Sequence, residues 1–141
     1  MSLGSAIMTL GVIRYPNDFA GAEVLPNGQV VVYVVKGQGN PFLVALPPLT
    51  DAAAGPSYVI WPMSNSWADM SAMTLRIAGD DADRGKRGIE LAQWGPDVRE
   101  NKVVITMRHY DAVQADYLVQ RYGSALVAVS TVSMPDRARR C

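Results

Sequence analysis

His109 and Asp111 lie close together in the chain, with Ser130 and Ser133 further along the same third. These are the residue types of a hydrolase: a hydroxyl to attack, an imidazole to take its proton, and a carboxylate to orient the imidazole. The pattern goes no further. Neither serine sits in a G-x-S-x-G elbow. Asp111 precedes Gln114 at the start of an apolar helical stripe, where its carboxylate is wanted as a cap. His109 therefore reads as a solvent-exposed imidazole beside a helix start, and no catalytic residue is assigned.

Asp80, Asp81 and Asp83 could pair as general acid and base, although carboxylates clustered in a loop are ordinarily hydrated. "DADRG" (81–85) opens like a calcium loop, then has Gly85 and Ala92 where the later ligands belong. "GDDADRGKR" imitates a phosphate loop with the wrong spacing and with Arg87 in place of the hydroxyl residue. "GQGN" lacks the third glycine of a dinucleotide fingerprint. The chain has 1 His and 1 Cys, the latter at Cys141, so it offers neither a Cys/His metal set nor an internal disulfide. No metal and no cofactor are expected. Trp61, Trp67 and Trp94, with nearby methionines, could line a ligand cleft, or they could pack in the core.

The elements that must position these residues belong to an ordinary folded chain. It has 141 residues, 49% of them apolar and 18% charged, which suits a globular domain and not a disordered one. Lys plus Arg and Asp plus Glu both number 13. With no surplus of cations to displace counterions from phosphates, a nucleic-acid partner is not expected. The basic stretch "DRARR" (136–140) reads as solvated tail. No apolar run approaches the roughly 18–20 residues that a membrane helix needs. "MSLGSAIMTLGVIR" lacks the basic start of a signal peptide, and residues 1–17 read as a flexible N-terminal segment or an expression scar.

In "DFAGAEVLPNGQVVVYVVKG" (18–37), Ala20–Leu25 and the β-branched run Gln29–Val35 predict a hairpin. Pro26, Asn27 and Gly28 form its turn, with Gly28 in a left-handed conformation. Residues 37–57 are rich in Gly and Pro and read as loop, around a short apolar piece, Phe42–Leu46, that could be strand or helix. A strand at 58–61 ends before Pro62. Ser66 as N-cap, Asp69 in the first turn and Gly79 as a stop mark a helix, with Trp67, Met70, Met73, Leu75 and Ile77 at mostly helical spacing. Residues 80–88 read as polar connection. Strands at 89–94 and 101–109 follow, and in "DVRENKVVITM" (97–107) the polar head "RENK", flanked by Val98 and Val103, is read as a hairpin tip, not a charged active-site loop, with Asn101 left-handed. The second helix runs from an Asp111 cap to Gly123, with Val113, Tyr117, Leu118 and Tyr122 on its stripe, and leads to a strand over 125–132.

The resulting order predicts one α+β domain over 18–132, followed by a tail at 133–141. The expected fold is a ferredoxin-like sandwich: a mainly antiparallel sheet with two main helices on one face. Gln29–Val35 and Val103–Met107 are expected as interior strands of a single sheet. No exact internal repeat is visible.

Several stretches together carry a resemblance: "DFAG" leading into "VVVYVVKG", the helix at 66–78, "GIEL" with "WGPDVRENKVVITM", and "DYLVQRYGSALVAVS". Over about residues 18–132 the pattern resembles exported actinobacterial domains, and is similar to the pro-region subdomains of α-lytic-protease-like and streptogrisin-like secreted proteases. That resemblance implies an extracellular or cell-envelope location and protein binding without catalysis. Such a pro-region acts as a folding chaperone and inhibitor, pairing its sheet with the protease and laying its C-terminal tail in the active site. The corresponding tail here is Ser133, Met134, Pro135 and Asp136. The expected function is thus a non-catalytic exported domain binding a protein or extended peptide, with a secreted serine protease as the implied partner. The rival is a small-molecule-binding or enzymatic α+β domain with a cleft around Trp61, Trp67 and Trp94. An enclosed pocket with converging polar groups would favour the rival; a bare edge strand beside aromatic side chains would favour strand addition.

Overall fold

A computed structural model describes residues 2–37, 40–46 and 58–134. The chain is α+β, in keeping with the ferredoxin-like type, but the six strands among the described residues form two three-stranded mixed sheets and not one mainly antiparallel sheet. It divides into two compact units, Met1–Asp69 and Met70–Cys141, where the sequence suggested one domain over 18–132. Val30–Val35 and Lys102–Met107 are both central strands as expected, each of its own sheet.

In the first unit, helix α1 (Leu3–Arg14) precedes a hairpin of β1 (Phe19–Val24) and β2 (Val30–Val35). The stretch 1–17, read as flexible or a scar, is thus largely helical. Ser2 caps α1 by accepting the Ser5 N–H at 3.2 Å, and the helix buries Gly4, Ile7 and Gly11. Two glycines on the packing face hide an amphipathic helix from a search for large apolar residues. They also let its backbone approach β1 closely: a Cβ on Gly11 would stand 2.3 Å from the Phe19 ring. The β1–β2 turn forms as predicted, with Gly28 at φ +86 donating its N–H to the Leu25 carbonyl at 2.8 Å.

Helix α2 (Pro41–Ala45) decides the ambiguous apolar piece. Asn40 accepts the Phe42 N–H at 2.9 Å, and Pro41 supplies a preset φ at the first helical position. The Asn40 amide also donates to the carbonyls of Asp18 (3.0 Å) and Val35 (3.2 Å), tying α2 to both hairpin strands. Strand β3 (Tyr58–Met63) then lies parallel to β2, so the connection is a crossover and not a hairpin. Ile7, Phe19, Val30, Val32, Val34, Phe42 and Leu46 form the core, with Trp67 packed against it. Phe19 and Phe42 meet edge to face at 5.1 Å.

The second unit uses a similar order, with one helix more before the hairpin: two helices, antiparallel hairpin, helix, and a third strand parallel to the second. Helix α3 (Trp67–Gly79) begins where Ser66 accepts the Asp69 N–H at 3.0 Å, and the division between the units falls within it. Residues 80–88, read as polar connection, instead form α4 (Asp81–Arg87). Its charges are arranged for the helix dipole, with Asp81 and Asp83 in the first turn, Arg84, Lys86 and Arg87 in the last, and Gly88 left-handed at φ 70 as C-cap. The hairpin of β4 (Leu91–Asp97) and β5 (Lys102–Met107) turns at Asn101, φ 55. Asp97 accepts the N–H groups of Arg99 and Glu100 at 3.0 Å each. Its carboxylate organises the turn at 98–101, so the reversal is a hairpin tip as predicted, one residue earlier than the expected "RENK".

Helix α5 (Ala112–Tyr122) starts with Asp111 accepting the Gln114 N–H at 2.9 Å and ends at Gly123, φ 95. Its buried residues are Ala115, Leu118 and Tyr122. Val113, placed on the stripe from sequence, is 80% exposed, as is Leu75 of α3 at 73%; each lies too far around its helix from the buried face. Strand β6 (Val127–Val129) is shorter than the predicted 125–132 and parallel to β5. Both hairpins carry a register shift early in their first strand, at Phe19/Gly21 and Leu91/Gln93.

Candidate functional site

The most accessible apolar element is β3. Within the described residues it pairs with β2 alone, and Val59, Ile60 and Trp61 are 41%, 42% and 59% exposed. Parallel pairing decides where its backbone points. Met63 accepts the Lys36 N–H at 2.9 Å, so Val59, Trp61 and Met63 direct their N–H and C=O groups at β2. Tyr58, Ile60 and Pro62 direct theirs outward. Pro62, expected to end this strand, lies within it, with its missing donor on the outer side where a proline is tolerated. That proline is the sequence signal for an edge strand. No residue of Tyr58–Met63 is charged, so the edge lacks the Lys or Glu that usually deters pairing.

The predicted tail begins on the second sheet. Ser133 Oγ accepts the Tyr110 N–H at 2.8 Å, and the Met134 N–H donates to the Met107 carbonyl at 3.0 Å. These bonds fasten the start of the tail beside the end of β5. Pro135 and Asp136, the other two residues of that prediction, lie outside the described residues.

The tryptophans have separate roles. Trp61 lies on the exposed edge. Trp67 packs against the core of the first unit, 6.2 Å from the Phe19 ring. Trp94, in the second unit, donates its indole N–H to the Thr74 carbonyl at 3.1 Å and stacks under Arg84.

The acidic cluster is a fastening between helices. Asp80 accepts the Tyr122 hydroxyl at 2.7 Å and Arg121 Nε at 3.2 Å. Asp83 accepts the Tyr117 hydroxyl at 3.0 Å and Arg87 Nε at 3.3 Å. The tyrosine hydroxyls first, and the neighbouring arginines with them, hold both carboxyls below the usual range. A general acid near neutrality needs the opposite shift. Tyr122 is pushed up, by burial first and then by its bond to Asp80, and Arg121 is raised chiefly by Asp80. Among the described residues, no hydrogen bond joins His109 to Asp111 or Ser133, whose oxygens serve Gln114 and Tyr110, and no group of three or more His, Cys, Asp or Glu side chains gathers as for a metal ion. No helix there is long and apolar enough to cross a membrane.

In the first unit a groove of roughly 400 Å³ runs between the start of α1 and β1, lined by Ser2, Ser5, Thr9 and Glu23 among others. Its one carboxylate, Glu23, accepts the Tyr33 hydroxyl at 2.6 Å. No family model and no curated protein matches this sequence.

Proposed function

We propose that the chain is a non-catalytic exported module that binds a protein or extended peptide by strand addition, in the manner of a secreted-protease pro-region, with a secreted serine protease as partner. The observation that carries this reading is the outer edge of β3: uncharged, paired on one side within the described residues, and flanked by the exposed Val59, Ile60 and Trp61. Ile60 offers an incoming strand both a donor and an acceptor; Pro62 offers only its carbonyl and so limits the length of the added ladder. The anchoring of Ser133 and Met134 beside β5 supports the second half of the reading, because it fastens the first two residues of the 133–136 stretch to the folded unit.

The test is an inhibition titration against a panel of secreted serine proteases. It uses the full chain, an Ile60→Pro variant, and chains ended after Val132 and after Met134. Proline at position 60 removes an outward-facing donor and the exposed Ile60 side chain, neither of which serves the β2–β3 ladder, so it should weaken inhibition while leaving that ladder intact. Both truncations should weaken inhibition through loss of the tail, and the chain ended after Met134 keeps the two anchoring bonds. Absence of inhibition by the full chain across the panel would refute the pro-region-like reading.

A further inference from the structure

Arg84 is 3% exposed on a short, charged helix. A guanidinium buried that deeply needs acceptors and a counter-charge. One N–H of its Nη1 donates to the Ile77 carbonyl in the last turn of α3, and its Cζ lies 5.5 Å from the centre of the Trp94 ring. The nearest carboxylate oxygen, on Asp81, is 3.7 Å from Nη2, and that side chain is 92% exposed. This distance gives attraction but no hydrogen bond. The fork carries five donors, and among the described residues the Ile77 carbonyl is its hydrogen-bond acceptor. The same side chain lines a cavity of roughly 370 Å³ that also includes Ile89, Glu90, Leu91, Trp94 and Arg108.

We propose that this cavity binds a carboxylate carried on an apolar group, with Arg84 as its anchor. A planar carboxylate matches the guanidinium fork in a two-bond pair. Ile89, Leu91 and the Trp94 ring offer apolar surface to whatever carries it. The lining balances two cations, Arg84 and Arg108, against two anions, Asp81 and Glu90. A single incoming charge can displace Asp81, which already sits in water. A dianion such as phosphate would meet two carboxylates with no added cation to offset them. The carboxylate could be that of a free small acid or the C-terminus of a peptide. The site does not depend on the strand-edge reading above.

The full chain, uniformly labelled with ¹⁵N, is titrated with N-acetyl-L-leucine, its amide, inorganic phosphate, and a leucine-ended tetrapeptide with free or amidated C-terminus. The Arg84 Nε–H and Trp94 indole N–H signals are followed. Saturable movement of both with N-acetyl-L-leucine, and none with its amide or phosphate, is expected. Tighter binding of the free tetrapeptide would assign the carboxylate to a chain end; binding of the small acid alone would assign it to a free acid. Arg84→Gln should abolish the effect. Should that variant fail to fold, Asp81→Asn serves instead: losing the competing carboxylate should tighten binding roughly two- to fivefold. No saturable shift up to about 50 mM acid, an equal response to phosphate, or unchanged or weaker binding by Asp81→Asn would overturn the proposal.

Discussion

Replacing Gly11 by alanine adds one methyl group to α1 where the helix rests on β1. The ideal Cβ would lie 2.3 Å from Phe19 Cγ and 2.5 Å from both Cδ atoms, whereas carbon atoms in contact stand about 3.5–4.0 Å apart. More than an ångström must be found, and Phe19 is fully buried, with Phe42 at 5.1 Å and Trp67 at 6.2 Å from its ring. The ring cannot swing away without displacing those neighbours, so the helix must lift. Overpacking of this kind costs about 1–3 kcal/mol, and a clash with three atoms of a fixed ring belongs near the top of that range. Alanine's better helix propensity returns about 0.8–1 kcal/mol. The net expectation is a loss of about 1–2 kcal/mol. Gly85 of α4 supplies the control, because a Cβ there meets nothing within 4 Å. Gly85→Ala should stabilise by about 0.5–1 kcal/mol. Urea denaturation followed by tryptophan fluorescence measures both. A Gly11→Ala chain as stable as the parent would refute the close packing of α1 on Phe19, and Gly85→Ala destabilising by a similar amount would show that helix-specific packing is not the cause.

Gly28→Val should destabilise by about 1–2 kcal/mol, the cost of a β-branched residue in the left-handed region, since Gly28 has φ +86 and open space around it; an unchanged melting curve would count against the turn. Asp80 and Asp83 have lowered folded-state pKa values, so their contribution is present above the ordinary carboxyl value of about 4 and is lost as pH falls through the folded values. The double variant Asp80→Asn/Asp83→Asn should therefore show a shallower decline of urea midpoint on acidification below about pH 4; a profile parallel to the parent's would oppose the fastening of α4 to α5. At the alkaline end the sign reverses: the raised Tyr122 contributes stability below the ordinary phenol value of about 10, lost as pH rises through its folded value. Tyr122→Phe should remove that alkaline loss, read from the same urea midpoints. His109 is exposed, and His109→Ala should leave both stability, within about 0.5 kcal/mol, and any protease inhibition unchanged; loss of inhibition would assign it a role that the reading above denies.

The sequence by itself determined the local stereochemistry. Gly28 and Asn101 take positive φ where the turns demanded it, Ser66 and Asp111 cap helices, and Gly123 ends one. Each of these depends on a residue and its immediate chain neighbours, so each is legible along the chain. Tertiary structure decided the rest. A β-branched run such as Val30–Val35 announces a central strand but not its partner, and crossover connections, not turn chemistry, made the third strand of each sheet parallel. Helix α1 was hidden because its contact face is built partly of glycines, whose value lies in the absence of a side chain. Arg84 reads as one charge in a polar run; only the packing of α4 against α3 and Trp94 buries it. Likewise "YVIW" reads as a strand from its composition, but its exposure as an edge follows from which strands the folded chain lays beside it.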